Sequence, residues 1–132
     1  MRVPASISGN LTSNPVLRPT RNGSVANLRV ASTDRQPDGQ GGFRDGSTLY
    51  MDVVAWGSLG ENAAKSLKKG DAVTATGHLQ SQTWVPSQGE NAGKEQTSIV
   101  LVADTLGPDL RWATCVVTKV RQGVEQSAVE SL

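Results

Sequence analysis

Aromatic side chains are scarce in this sequence: three Trp, one Tyr and one Phe stand among 132 residues. Each ring, Phe43, Tyr50, Trp56, Trp84 and Trp112, can therefore be asked where it sits and what it is for. Charge of one sign is equally scarce. Thirteen Lys and Arg face twelve Asp and Glu, a formal net charge of +1, which excludes a generic polycation that packs nucleic acid by bulk charge. Any nucleic-acid contact must be made by a local groove. Cysteine occurs once, at Cys115, so no disulfide can form within the chain. No stretch approaches the ~18 consecutive apolar residues of a membrane span. The start, Met1-Arg2-Val3-Pro4-Ala5-Ser6, lacks the apolar run of a signal peptide. These absences point to a soluble cytoplasmic protein. The length suits one domain, which buries roughly two thirds of its unfolded surface without disulfides.

What the chain does have is strand pattern. Val3 to Leu11 alternates, with Val3, Ala5, Ile7 and Leu11 on one side. Asn14 to Ser24, with Pro15, Pro19 and Asn22-Gly23, reads as a turn-rich connection. Val25 to Thr33 alternates again, placing Ala26, Leu28 and Val30 inward and Asn27 and Arg29 outward. The glycine-rich stretch Asp34 to Ser47 reads as a long loop that carries Phe43. In Thr48 to Trp56 the odd positions are all apolar, while Tyr50, Asp52 and Trp56 share the even face. At roughly 3.3 Å per residue, Tyr50 and Trp56 lie about 20 Å apart along that face. Asp71 to Trp84 is a long strand with Val73, Ala75, Gly77 and Leu79 inward and His78, Gln80, Gln82 and Trp84 outward. Pro86 to Ala92 reads as a hairpin tip. Gln96 to Leu106 returns, apolar on both faces at Ile99 to Val102.

One helix interrupts the strands. Ser58 to Lys69 places Ser58 as N-cap with Glu61 reaching back, a capping box, and Leu59, Ala63 and Leu67 form its buried stripe. Lys68 and Lys69 suit the negative end of the helix, and Gly70 ends it. Five strands with a helix between the third and fourth is the connectivity of the OB-fold, an all-β Greek-key barrel. Leu110 to Val120 reads as an extra C-terminal strand, so residues 1–120 make one OB-fold domain and residues 121–132 a short polar tail.

Tyr50, Trp56 and Trp84 all fall on polar strand faces, an arrangement that suits either a platform on which unpaired bases stack or rings that cover the loops or fill a subunit interface. The stretches Ser8-Gly9-Asn10-Leu11, Asn14-Pro15-Val16-Leu17-Arg18, Gly23-Ser24-Val25-Ala26-Asn27, Val53-Val54-Ala55-Trp56-Gly57, Leu67-Lys68-Lys69-Gly70 and Gly77-His78-Leu79 carry a resemblance. In their order and spacing across about residues 3–112, the sequence resembles the bacterial single-stranded DNA-binding proteins that form OB-fold tetramers. That resemblance implies base stacking at Tyr50, Trp56 and Trp84, and a homotetramer as the assembly. It further implies that Leu110-Arg111-Trp112-Ala113-Thr114 belongs to a clamp strand hooking a neighbouring subunit, with Trp112 at the interface. It implies work in DNA replication, repair, recombination or chromosome segregation at the nucleoid. The chain departs from the family in having Asp34-Arg35-Gln36 where a further aromatic is common, and Asp52, Gln80, Gln82 and Thr83 where basic residues are frequent. It ends Ala128-Val129-Glu130-Ser131-Leu132 without the family's acidic, aromatic-tipped tail. It thus resembles the short paralogues, with the expectation that tail-mediated recruitment of replication and repair enzymes is lacking.

Candidates for phosphate contact are Arg18, Arg21, Arg29, Arg35, Lys68, Lys69 and Lys94, each set against the plain reading of a solvated surface charge. With Asp52 in the groove and few basic neighbours at Trp84, the salt dependence of binding is expected to be shallow. Cys115 reads as a half-buried thiol or, across a two-fold axis, as an intersubunit disulfide. His78, with no second His and no nearby Cys, is a poor metal ligand or general base. No metal, cofactor or catalytic group is expected. An RNA-binding OB protein and a non-catalytic OB interaction module are the alternatives. A nuclease would need converging carboxylates, and Asp52 is the only acid placed in the groove.

Overall fold

The computed structural model describes residues 1–120. Six strands and one helix follow one another: β1 (Val3–Leu11), β2 (Val16–Thr20), β3 (Gly23–Pro37), β4 (Phe43–Trp56), α1 (Gly57–Ser66), β5 (Ala72–Trp84) and β6 (Gln96–Pro108). The sheet runs β1-β5-β6-β4-β3-β2, and an extra pairing of Asn10 and Leu11 of β1 with Ala31 and Val30 of β3 closes five of the strands into a ring. All pairings are antiparallel except β4 with β6, which run parallel around Val53 and Leu101. The helix lies between the third and fourth strands of the ring, so the architecture is the OB-fold.

Alternation builds the interior. Ile7 and Leu11, Ala26, Leu28 and Val30, Val53 and Ala55, Val73 and Ala75, Leu101 and Ala103 all turn into the ring, and Ala63 and Leu67 carry α1 onto it. Each fully buried Leu or Val contributes ~1.5–3 kcal/mol. The core contains no aromatic ring, and no polar side chain is buried among the described residues. An extra residue in β6, Asp104, falls between the partners of Thr76 and Gly77 and makes a bulge that lets β6 bend round the ring. A Cβ at Gly77 would press into the Val102 carbonyl, so only glycine lets the two backbones approach.

Four expectations are corrected. First, Val16–Thr20 is a strand, not part of a loop. It pairs with β3 from Val16↔Asn27 to Thr20↔Gly23, and as an edge strand it tolerates Pro19. Second, the glycine-rich stretch is a hairpin arm: β3 and β4 stay paired as far as Pro37↔Phe43. The Asp38 carboxylate accepts from the Gln40 and Gly42 amides at 2.7 and 3.1 Å, which fixes a tight tip. Phe43 therefore sits on a strand. Third, α1 begins at Gly57 with Trp56 as its N-cap and ends at Ser66, leaving Lys68 and Lys69 in the turn beyond it. Gly57 takes φ +63°, which swings the chain out of β4 a residue before Ser58. Fourth, residues 110–120 form no strand in the single chain, because a strand needs a ladder partner and this segment has none among the described residues. Residues 121–132, read above as a polar tail, lie outside the described residues. Among the described residues no helix is long and apolar enough to cross a membrane.

Candidate nucleic-acid interface

The outward residues of β3, β4, β6 and β5 lie side by side and form one continuous face. Register sets Ala31 opposite Tyr50, Arg29 opposite Asp52 and Val25 opposite Trp56. Asp52 in turn lies beside Val100, Val100 opposite Gln80, and Gln96 opposite Trp84. Val25, Val54 and Val100 bury one another, with Val102 packed against them, giving this face an apolar floor of its own.

A groove of about 370 Å³ runs over that floor. Trp84, Gln82 and Ser98 line one side, Asn27, Arg29 and Asp52 the other, and Ser13 and Val16 approach from the chain entering β2. Tyr50 and Trp56 flank it on β4. All three rings are about half exposed: Tyr50 53%, Trp56 42% and Trp84 48%. Their polar-face positions put them on the surface, beside the buried cluster of Val25, Val54 and Val100. Such half-open rings can each receive a base on one face while the other side stays packed.

Charge is sparse in the groove and internally paired. Arg29 Nη1 donates to Asp52 Oδ1 at 3.1 Å. The same guanidinium lies 5.2 Å from the Tyr50 ring centre, within cation–π reach. Of the seven cations singled out in the sequence, Arg29 alone lines the groove. Arg18 stands on β2 opposite Val25, and Arg21 lies in the following turn. Lys68 and Lys69 sit in a turn tied down through their amides, which donate to Asp71 Oδ2 at 2.9 Å and Asn14 Oδ1 at 2.8 Å; both side chains stay exposed. Lys94 lies in the β5–β6 connection. Arg35 lies on the hairpin arm, 3.9 Å from Asp45, and lines a separate depression of about 850 Å³ together with Arg111 and Trp112.

Trp112 is 82% exposed and Cys115 is exposed, where a half-buried thiol was expected. His78 faces outward as expected, and its Nδ1 is buried without a hydrogen-bond partner. No group of three or more His, Cys, Asp or Glu that could hold a metal occurs among the described residues. The valine floor and the wall residues Asn27 and Ser98 were not singled out from sequence. The apolar even positions Val100 and Val102 of β6 were the signal for that floor; the two wall residues had none.

Residues 4–108 match the single-strand binding protein family. The chain belongs to that family. Its members are non-catalytic DNA-binding proteins. Among relatives, the single-stranded DNA-binding protein of Paenarthrobacter aurescens is 40% identical over 93% of this chain and 71% of its own length. That of Bifidobacterium longum is 40% identical over 89% of this chain, which spans 53% of the relative. A small single-stranded DNA-binding protein from Streptomyces coelicolor superposes with a TM-score of 0.69 at 33% identity, covering 83% of this chain and 96% of that one.

Proposed function

We propose that this chain binds single-stranded DNA without base-sequence preference, stacking bases on Tyr50, Trp56 and Trp84. One observation carries the reading: the core takes no aromatic ring, and three of the five rings flank or line one outer groove with an apolar floor. A ring left half in water is held there at a cost that stacking on a base offsets. Arg18, Arg21, Arg35, Lys68, Lys69 and Lys94, distributed around rather than inside the groove, neutralise phosphates as the strand passes over the surface. Titration with oligo-dT at two salt concentrations tests this. Tryptophan fluorescence is expected to quench to saturation, and absence of quenching defeats the reading. OB-folds also bind RNA, and competition of oligo-U against oligo-dT separates the two.

The working unit is inferred to be a homotetramer. Two features support it. Among the described residues Val3–Gly9 of β1 pairs with β5 on one side only, leaving an open edge. Residues 113–120 are exposed, with Val116 91% and Val117 82% exposed, suited to being covered by a neighbour together with Trp112. Light scattering gives the mass directly, and a monomer at micromolar concentration refutes the assembly. A Cys115–Cys115 bond between subunits belongs to the same inference and is read on a non-reducing gel. The reading places the protein at the nucleoid, in replication, repair, recombination or segregation of DNA; a fluorescent fusion spread evenly through the cell would contradict that placement.

A further inference from the structure

Among the described residues lining the groove there is one base, Arg29, and one acid, Asp52, and they are bonded to each other. They are direct cross-strand partners on β3 and β4, so backbone register holds them together. The guanidinium is at the same time held over Tyr50, one of the three stacking rings. Both side chains remain about half exposed, so a phosphate has access to the pair.

We propose that Asp52 is a positioning residue that withholds Arg29 from the phosphate backbone. In the free protein the carboxylate satisfies the guanidinium and holds it against Tyr50. An incoming strand meets a neutral pair, and a phosphate must compete with Asp52 for the same N–H donors while being repelled by its charge. The groove then contributes stacking with little counterion release, and the salt-dependent part of binding is left to the cations outside it. This inference rests on the single-stranded DNA reading above and assigns Arg29 a different role from the other six cations.

The test is a double-mutant cycle on oligo-dT affinity across a salt series, with thermal melts to confirm that each variant folds. D52N is expected to bind about 5–10-fold more tightly at low salt and to steepen the log K against log salt slope by about 0.7, one phosphate contact on a single strand. R29Q in the native background should leave the slope unchanged. R29Q added to D52N should remove the slope that D52N gained. D52E, which keeps the carboxylate, should behave as the native protein. A slope that falls by about 0.7 in R29Q alone shows Arg29 already on a phosphate and overturns the proposal. So does a D52N variant that matches the native affinity and slope. Failure of the native protein to bind oligo-dT at all is a separate outcome. It removes the binding reading itself, and the proposal with it.

Discussion

The two faces of β4 put two kinds of chemistry one residue apart. Met51, Val53 and Ala55 turn into the ring, where Val53 and Ala55 are fully buried among aliphatic neighbours. Tyr50, Asp52 and Trp56 turn out, half exposed, around the small valine cluster of Val25, Val54 and Val100. The interior is closed with aliphatic groups alone, and every aromatic ring is left for the surface. Stability and recognition are thus carried by different residues of the same strands, and substitutions should separate them.

The largest effect belongs to the inner face. Leu101→Ala, at a fully buried site, should lower unfolding free energy by ~2–5 kcal/mol in a denaturant titration, because it opens a cavity in a small core. On the outer face Trp84→Ala and Trp56→Ala should each weaken oligo-dT binding by about 1–3 kcal/mol. Their denaturation midpoints should move much less than that of Leu101→Ala. If either Trp variant unfolds as readily as Leu101→Ala, the ring is a structural residue and the division between the faces breaks. A smaller effect sharpens the electrostatic half of the comparison. Arg18→Ala, a cation outside the groove, should lower the salt slope by about 0.7 while leaving the fluorescence quench intact.

Much of this division was legible in the sequence because strand alternation depends on side-chain type alone. The period of two selected Tyr50, Trp56 and Trp84, and it placed Ala26, Leu28 and Val30 inward. The helix stripe of Leu59, Ala63 and Leu67 was readable for the same reason, and the structure packs all three on the core. What pattern could not show is pairing. The stretch holding Pro15 and Pro19 and the one rich in glycine carry turn signals, yet β3 supplies each with a ladder, making an edge strand and a hairpin arm. The bond between Arg29 and Asp52 depends on which residue of β3 lies opposite which residue of β4, a register invisible in either strand alone. Residues 110–120 show the converse: strand-like composition without a partner among the described residues yields no strand.

The smallest expected effect concerns a second acid–base pair, outside the groove and local in sequence. Arg111 grips Asp109 with its Nη2 and Nε at 2.9 and 3.1 Å from Oδ2, and its amide donates to Asp109 Oδ1 at 3.0 Å. The side-chain hydrogen bond from Arg111, then its backbone amide, hold the Asp109 carboxyl below its ordinary value. The lowered pKa in the folded chain means that the pair's contribution is present above the unfolded value of about 3.9. It is lost as pH falls through the lower folded value. An NMR titration of the Asp109 carboxyl carbon should therefore show a midpoint below ~3.9, and R111Q should move it back up towards that value. The stacking part of oligo-dT binding, read as the fluorescence quench at neutral pH, should be untouched by R111Q, since this pair lies in the depression beside Arg35 and Trp112 and not over the valine floor. A quench altered by R111Q would extend the stacking surface from the groove to this depression, and the two pairs could no longer be assigned separate roles.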